Sequence, residues 1–195
     1  MDIILGIIGG GQLGKMLLQY CSKISVKTYV YDPNMNCPCK NMCEKLFQGS
    51  LMDYEKLVEF GRKCNVLTYE IEHINIEALK KLEKEGICVY PSSSTLEIIQ
   101  NKYTQKQFFI ENNLPTTDFI YCENKEQITV HIKEDKIKLP CVWKKTRFGY
   151  DGYGVYIIKS LNDMNNIPDC ECIVEKYVEI EKEISLIVAR NKNND

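Results

Sequence analysis

Apolar positions recur along the chain at two alternating periods. Ile3 to Ile8 is a short β-branched run that ends in Gly9-Gly10-Gly11-Gln12-Leu13-Gly14. A helical pattern follows through Met16, Leu17, Tyr20 and Cys21. Val26 to Tyr31 reads as a second strand, closed by Asp32-Pro33. Tyr54 to Cys64 carries Leu57, Val58, Phe60 and Gly61 at helical spacing, and Val66 to Tyr69 is a third strand. Ile74 to Glu85 places Ile76, Leu79 and Leu82 on one helical face, with Gly86 as its stop. Ile87 to Tyr90 is a fourth strand, ended by Pro91. Strands alternating with helices predict an α/β fold with a parallel, doubly wound sheet.

The texture changes after Pro91, and a domain boundary is expected near residues 91 to 101. Helical pieces at Leu96–Gln100 and Tyr103–Glu111 lead to a strand near Phe119–Cys122 and a charged helix near Glu123–Lys133. Cys141 to Lys145 is the next strand. The loop Phe148-Gly149-Tyr150-Asp151-Gly152-Tyr153-Gly154 separates it from the β-branched run Val155 to Ile158. A strand-turn-strand is expected over Cys172–Val178 and Ile184–Ala189, before a polar tail at 191–195.

Charge narrows the function. With 25 basic and 27 acidic residues in 195, the chain lacks the basic excess of a nucleic-acid binder, so no nucleic acid is expected. No apolar run approaches the roughly 20 residues that cross a bilayer, so no membrane is expected either. Asp2 stands where a basic leader would begin, so no signal peptide is read. Ten cysteines then imply a reduced, cytoplasmic protein. Cys37-x-Cys39-x-x-x-Cys43 lacks a nearby fourth zinc ligand and reads as a surface loop between a strand and a helix. No metal ligand is assigned.

Three motifs carry chemistry. Gly9-x-Gly11-x-x-Gly14 lies between a strand and a helix, where backbone N–H groups can face an anion. Asp32, 18 residues after Gly14, stands where a dinucleotide fold places its ribose acid. Dinucleotide binding and a purely structural tight turn both remain open on these residues. The second glycine loop lies between strands. Its N–H groups could cover a polyphosphate, with Lys144 and Lys102 adding cations, or it is a hairpin loop with surface lysines. Glu175-Lys176-Tyr177-Val178 with Glu183 reads as a sheet rim facing an adenine and a ribose, or as a solvated acidic turn with Glu179, Glu181 and Lys182.

These blocks, in their order, resemble the N5-carboxyaminoimidazole ribonucleotide synthetases, the ATP-grasp part of phosphoribosylaminoimidazole carboxylase. The resemblance rests on Gly6 to Leu17, Leu67-Thr68-Tyr69-Glu70-Ile71-Glu72-His73, Tyr90-Pro91-Ser92, Gln105 to Phe108, Tyr150-Asp151-Gly152, and Glu183 to Arg190. It implies a Rossmann-like pre-ATP-grasp domain over 1–95 and an incomplete ATP-grasp α+β domain over 96–190. The implied reaction is ATP-driven carboxylation of 5-aminoimidazole ribonucleotide with bicarbonate, through carboxyphosphate.

The resemblance assigns Gly11, Gln12 and Leu13 to the ribonucleotide rather than to NAD. Tyr150 and Asp151 would approach the aminoimidazole. Glu72, or failing that Glu70, would sit near the bicarbonate-derived group. Lys102, Lys144, Gly149, Gly152, Tyr153 and Gly154 would hold the ATP phosphates. Glu175, Lys176, Tyr177 and Val178 would line the adenine, and Glu183 would bind the ribose. His73 reads as structural rather than as a base. Tyr153 stands where many relatives carry Arg or Lys, which removes a fixed charge, and Phe148 stands where bacterial relatives have glycine.

Relatives continue beyond Arg190, so the Mg2+ ligands are expected in a missing half. The 195 residues alone are then expected to be inactive, with an unpaired sheet edge at Ile184–Ala189. A homodimer, a non-catalytic nucleotide-binding remnant and another ATP-grasp ligase are carried as further readings.

Overall fold

The structure, a computed structural model, describes residues 3–149 and 154–189. The expectations on Tyr150, Asp151, Gly152, Tyr153 and the 191–195 tail lie outside these residues. The chain forms two compact units, Met1–Thr116 with Lys145–Asp151, and Thr117–Lys144 with Gly152–Asp195.

In the first unit β1 (Ile4–Ile8), β2 (Lys27–Asp32), β3 (Lys45–Gln48), β4 (Val66–Tyr69) and β5 (Cys88–Val89) build a parallel sheet ordered β3-β2-β1-β4-β5. The crossovers contain α1 (Gln12–Lys23), α2 (Tyr54–Gly61) and α3 (Ile76–Lys84), and α4 (Ser93–Ile99) and α5 (Lys102–Glu111) follow. Side chains alternate across a strand, so Ile7 and Ile8 enter opposite cores. Ile8 packs with Tyr31, Leu57, Phe60, Leu79 and Leu82, while Ile7 packs with Leu18, Val30, Cys37 and Cys39. Both isoleucines are fully buried, as expected of a central parallel strand covered on both faces.

The helices start where the sequence offers caps. Asp53 accepts from Lys56 N at α2, and Asn75 accepts from Ala78 N at α3. The ends of these two helices are joined by Arg62, which donates to both oxygens of Glu85 at 2.7 and 2.8 Å. This bidentate bond holds the Glu85 carboxyl down at about 2. A carboxyl depressed in the fold stabilises it above its unfolded value near 4.3, and that gain is lost as pH falls toward about 2. Arg62→Met is therefore expected to be less stable than the parent at pH 7, with the gap closing between about pH 4.3 and 2. Urea melts at several pH values measure it, and a gap independent of pH would refute it.

Three features differ from expectation. First, Cys37 and Cys39 are buried, not in a surface loop, because the segment after Asp32 folds back beneath the glycine loop, with Cys39 N donating to Gly10 O at 3.3 Å. The strand β3 follows it. Its half-buried Leu46 and Phe47 sit on an edge too short to give a clear alternation. Second, α1 buries Gly14, Leu18 and Cys21, while Met16 and Tyr20 are exposed. The close approach of Gly14 to the glycine loop sets that rotation. Third, Ile184–Ala189 forms no strand, and Ile187 is 96% exposed. A strand exists only through a ladder, and no described strand pairs with this segment.

The second unit contains β6 (Phe119–Cys122), α6 (Lys125–Lys133), β7 (Cys141–Lys145), β8 (Val155–Ile158), a 3-10 turn (Leu161–Asn166) and β9 (Cys172–Lys176). The sheet order is β6-β9-β7-β8, with β6–β9 and β7–β8 antiparallel. One face carries Cys122, Cys141, Trp143, Ile158, Cys172 and Val174, packed on Ile128, Met164 and Ile167. Alternation puts Phe119, Tyr121, Val142, Lys144, Ile173 and Glu175 on the other face.

Candidate functional site

In an open parallel sheet ligands bind beyond the carboxyl ends of the strands, where the strand order reverses. Here that place lies between β1 and β4. The glycine loop leaves β1 there and the Glu70–His73 segment leaves β4. Gly9 takes φ of +99°, a conformation that glycine adopts without a Cβ penalty. Gly9 N donates to Tyr31 O at 2.9 Å, Gly10 N to Asp32 Oδ2 at 2.6 Å, and Gly11 N to Glu70 Oε1 at 3.0 Å. Asp32 Oδ1 also accepts from Asn34 N at 2.7 Å.

Two loop N–H groups that a pyrophosphate would use are thus taken by the protein's own carboxylates, and Asp32 is held against the loop. This geometry disfavours the NAD reading. A Cβ on Gly11 would lie 2.6 Å from Glu70 Oε1, so the carboxylate and the loop are in direct contact. Gln12 and Leu13 are exposed in the first turn of α1. Glu72 is exposed, and its carbonyl accepts from Gln100 Nε2 at 2.6 Å. The His73 ring packs against Phe148 with centroids 5.5 Å apart.

Lys102 opens α5. Its N–H donates to Thr146 O at 2.8 Å, and Asn101 caps the helix through Tyr103 N and Thr104 N. This ties Lys102 to the segment that leads into the second glycine loop. Of that loop, Gly149 is half-buried and Gly154 takes φ of +77°.

In the second unit Lys144 Nζ donates to Glu175 Oε2 at 2.7 Å. Both project from the sheet face opposite α6. The Glu175 side chain is 6% exposed and that of Lys144 29%. Two residues singled out separately in the sequence are therefore one ion pair. Lys176 is exposed, with its N–H donating to Asp118 O at 2.9 Å. Tyr177, Val178 and Glu183 are exposed and lie outside any strand.

A cavity of about 510 Å³ adjoins this pair, lined by Phe119, Ile120, Ile137, Val174, Glu175 and Lys176. Lys136 and Lys138 also line it. Sequence reasoning passed over the 136–138 segment, whose one signal was an apolar residue between two lysines. Among the described residues no group of three or more His, Cys, Asp or Glu side chains could hold a metal ion. No described helix is long and apolar enough to cross a membrane.

A parallel Rossmann-like unit followed by a helix-backed antiparallel sheet with a Lys–Glu pair on its open face defines an ATP-grasp architecture. Residues 1–100 match the ribonucleotide synthetase preATP-grasp domain, and residues 107–195 match the ATP-grasp domain. The chain belongs to the ribonucleotide synthetase preATP-grasp family.

It is 37% identical over 197 residues to the N5-carboxyaminoimidazole ribonucleotide synthase of Staphylococcus aureus, covering 97% of this chain and 51% of that one. It is 34% identical to the chloroplastic phosphoribosylaminoimidazole carboxylase of Vigna aconitifolia, over 99% of this chain and 35% of that one. The solved S. aureus N5-carboxyaminoimidazole synthetase complexed with ADP superposes with a TM-score of 0.90 at 33% identity, covering 100% of this chain and 53% of the other. The chain spans about half the length, or less, of the curated relatives it matches.

Proposed function

We propose that the chain binds ATP with its second unit and 5-aminoimidazole ribonucleotide with its first, for ATP-driven carboxylation in purine synthesis. The observation that carries this reading is the Lys144–Glu175 pair on the open sheet face, in a chain that belongs to an ATP-grasp family. Lys144 and Lys102 neutralise phosphate charge, and the Gly149–Gly154 loop offers backbone donors to the phosphates. Glu175 through Val178 line the adenine and Glu183 takes the ribose hydroxyls. Gly11, Gln12 and Leu13 hold the ribonucleotide. Tyr150 and Asp151 are assigned to the aminoimidazole, and Glu72 to the bicarbonate-derived group.

A bicarbonate oxygen attacks the γ-phosphorus and ADP leaves, giving carboxyphosphate. The amine of the ribonucleotide then takes the carboxyl carbon and inorganic phosphate departs. The protein's part is to position the reactants, offset charge and exclude water. Magnesium, the usual companion of ATP, would offset phosphate charge when bound. The described residues offer it no acidic cluster, so no step is assigned to it here. A cytoplasmic setting and a homodimer belong to the same reading, as does the expectation that this chain alone does not turn over.

Calorimetric titration with ATP and, separately, with NAD is the test. Saturable heat with ATP, displaced by ADP and absent with NAD, is expected. Binding of NAD that depends on Asp32, or no response to either nucleotide, would refute the proposal. Turnover of ATP with the ribonucleotide and bicarbonate at an ordinary enzymatic rate would refute the expectation of inactivity alone.

A further inference from the structure

Cys122 closes β6 and Cys172 opens β9, and the two are direct partners in the antiparallel register. Directly opposed residues in such a ladder have Cα atoms about 4.5–5.5 Å apart, inside the range that a disulfide spans. Both side chains point into the same core and both are fully buried. Cys172 Sγ donates to Cys122 O at 3.5 Å, and each side chain perturbs the other's titration. All ten cysteines are free, yet no other two are facing partners in the described strand registers.

We propose that Cys122 and Cys172 are an oxidation site that closes to a reversible disulfide under peroxide. The reaction starts at Cys122. Its thiol is held below its ordinary value by the neighbouring Cys172 side chain, whereas Cys172 is pushed up by Cys122 and by burial. The Cys122 thiolate attacks one peroxide oxygen, the O–O bond breaks, and sulfenic acid and hydroxide form. The Cys172 sulfur then attacks the sulfenic sulfur, its proton joins the departing hydroxyl as water, and the S–S bond closes. Hydrogen peroxide has accepted two electrons and the two thiols have lost them. A thiol such as glutathione reverses the bond by exchange.

Trp143 Nε1 is buried with no hydrogen-bond partner among the described residues, although it sits beside the Cys172 sulfur. It is placed to donate to the Cys172 sulfur. The bond would tie residues 50 apart in sequence, which is a long loop to close in the unfolded chain. The proposal does not depend on the nucleotide reading.

The test treats the whole chain with hydrogen peroxide, blocks remaining thiols under denaturing conditions, and maps tryptic peptides without reduction. Peptides 107–125 and 160–176 are expected to be joined through Cys122 and lost on adding dithiothreitol. Because 160–176 also holds the half-buried Cys170, tandem fragmentation or a Cys170→Ser background assigns the partner. The oxidised form is expected to melt roughly 5–10 °C higher. Cys122 and Cys172 recovered as blocked free thiols, or Cys122 bridged to Cys141 or Cys170, would overturn the proposal. These readouts use the parent protein, so they stand even if Cys122→Ser fails to fold.

Discussion

Lys144→Ala is expected to weaken ATP binding by about 10- to 100-fold and to lower stability by roughly 2–3 kcal/mol. The first figure follows from one charge-assisted contact to phosphate, worth about 1.5–3 kcal/mol. The second follows from the position of Glu175. Its side chain is 6% exposed, so losing the ammonium removes a close positive charge from a buried carboxylate. Breaking a fully buried pair costs about 3–5 kcal/mol, and the 29% exposure of Lys144 argues for less.

The two effects separate in the double variant Lys144→Ala/Glu175→Gln. Removing the buried charge as well should recover part of the stability while ATP binding stays weak. Calorimetry and urea melts on the parent, single and double variants give the answer. A single variant that melts normally would sink the structural half. Unchanged ATP affinity in the folded double variant would sink the functional half.

Gly14→Ala is expected to cost about 2–3 kcal/mol, a fall in Tm of roughly 5–10 °C. An added Cβ would lie 2.6 Å from Gly9 O and 3.3 Å from Cys39 Sγ. The nearest atom is backbone, so no side chain can swing away. Either α1 must move off the sheet or the loop must shift, and the loop is pinned by Tyr31 O, Asp32 and Glu70. Ser22→Ala, an exposed position in the same helix, is the control and should change Tm by no more than about 1–2 °C. Differential scanning calorimetry on both variants decides it. Equal melting temperatures would mean that the helix is not seated on the loop as described.

Much of the first unit was legible because its elements repeat one period strongly. The buried Leu57, Val58 and Phe60 and the buried Leu79 and Leu82 sit where the helical pattern placed them. β3 was not legible, since four residues with two half-buried apolar side chains carry no period. The strand expected at Ile184–Ala189 failed for the opposite reason. Its composition is that of a strand, but composition supplies no partner for the backbone.

At the candidate site the residues were legible and their relations were not. Asp32 was visible as an acid at a strand end, yet its bond to Gly10 N depends on the pairing of β1 with β2, Ile8 beside Tyr31, which local pattern does not encode. Lys144 and Glu175 were visible as separate groups 31 residues apart, and only the sheet order makes them one pair.

The first unit draws its last piece, Lys145–Asp151, from beyond a stretch that belongs to the second. Thr146 O, the acceptor for Lys102 N, arrives with that piece. On a ribosome, where residues emerge in order, the parallel sheet can assemble early, but the seat of Lys102 stays open until some forty further residues have been made. A released chain truncated near residue 120 would therefore carry a formed sheet and a loose α5.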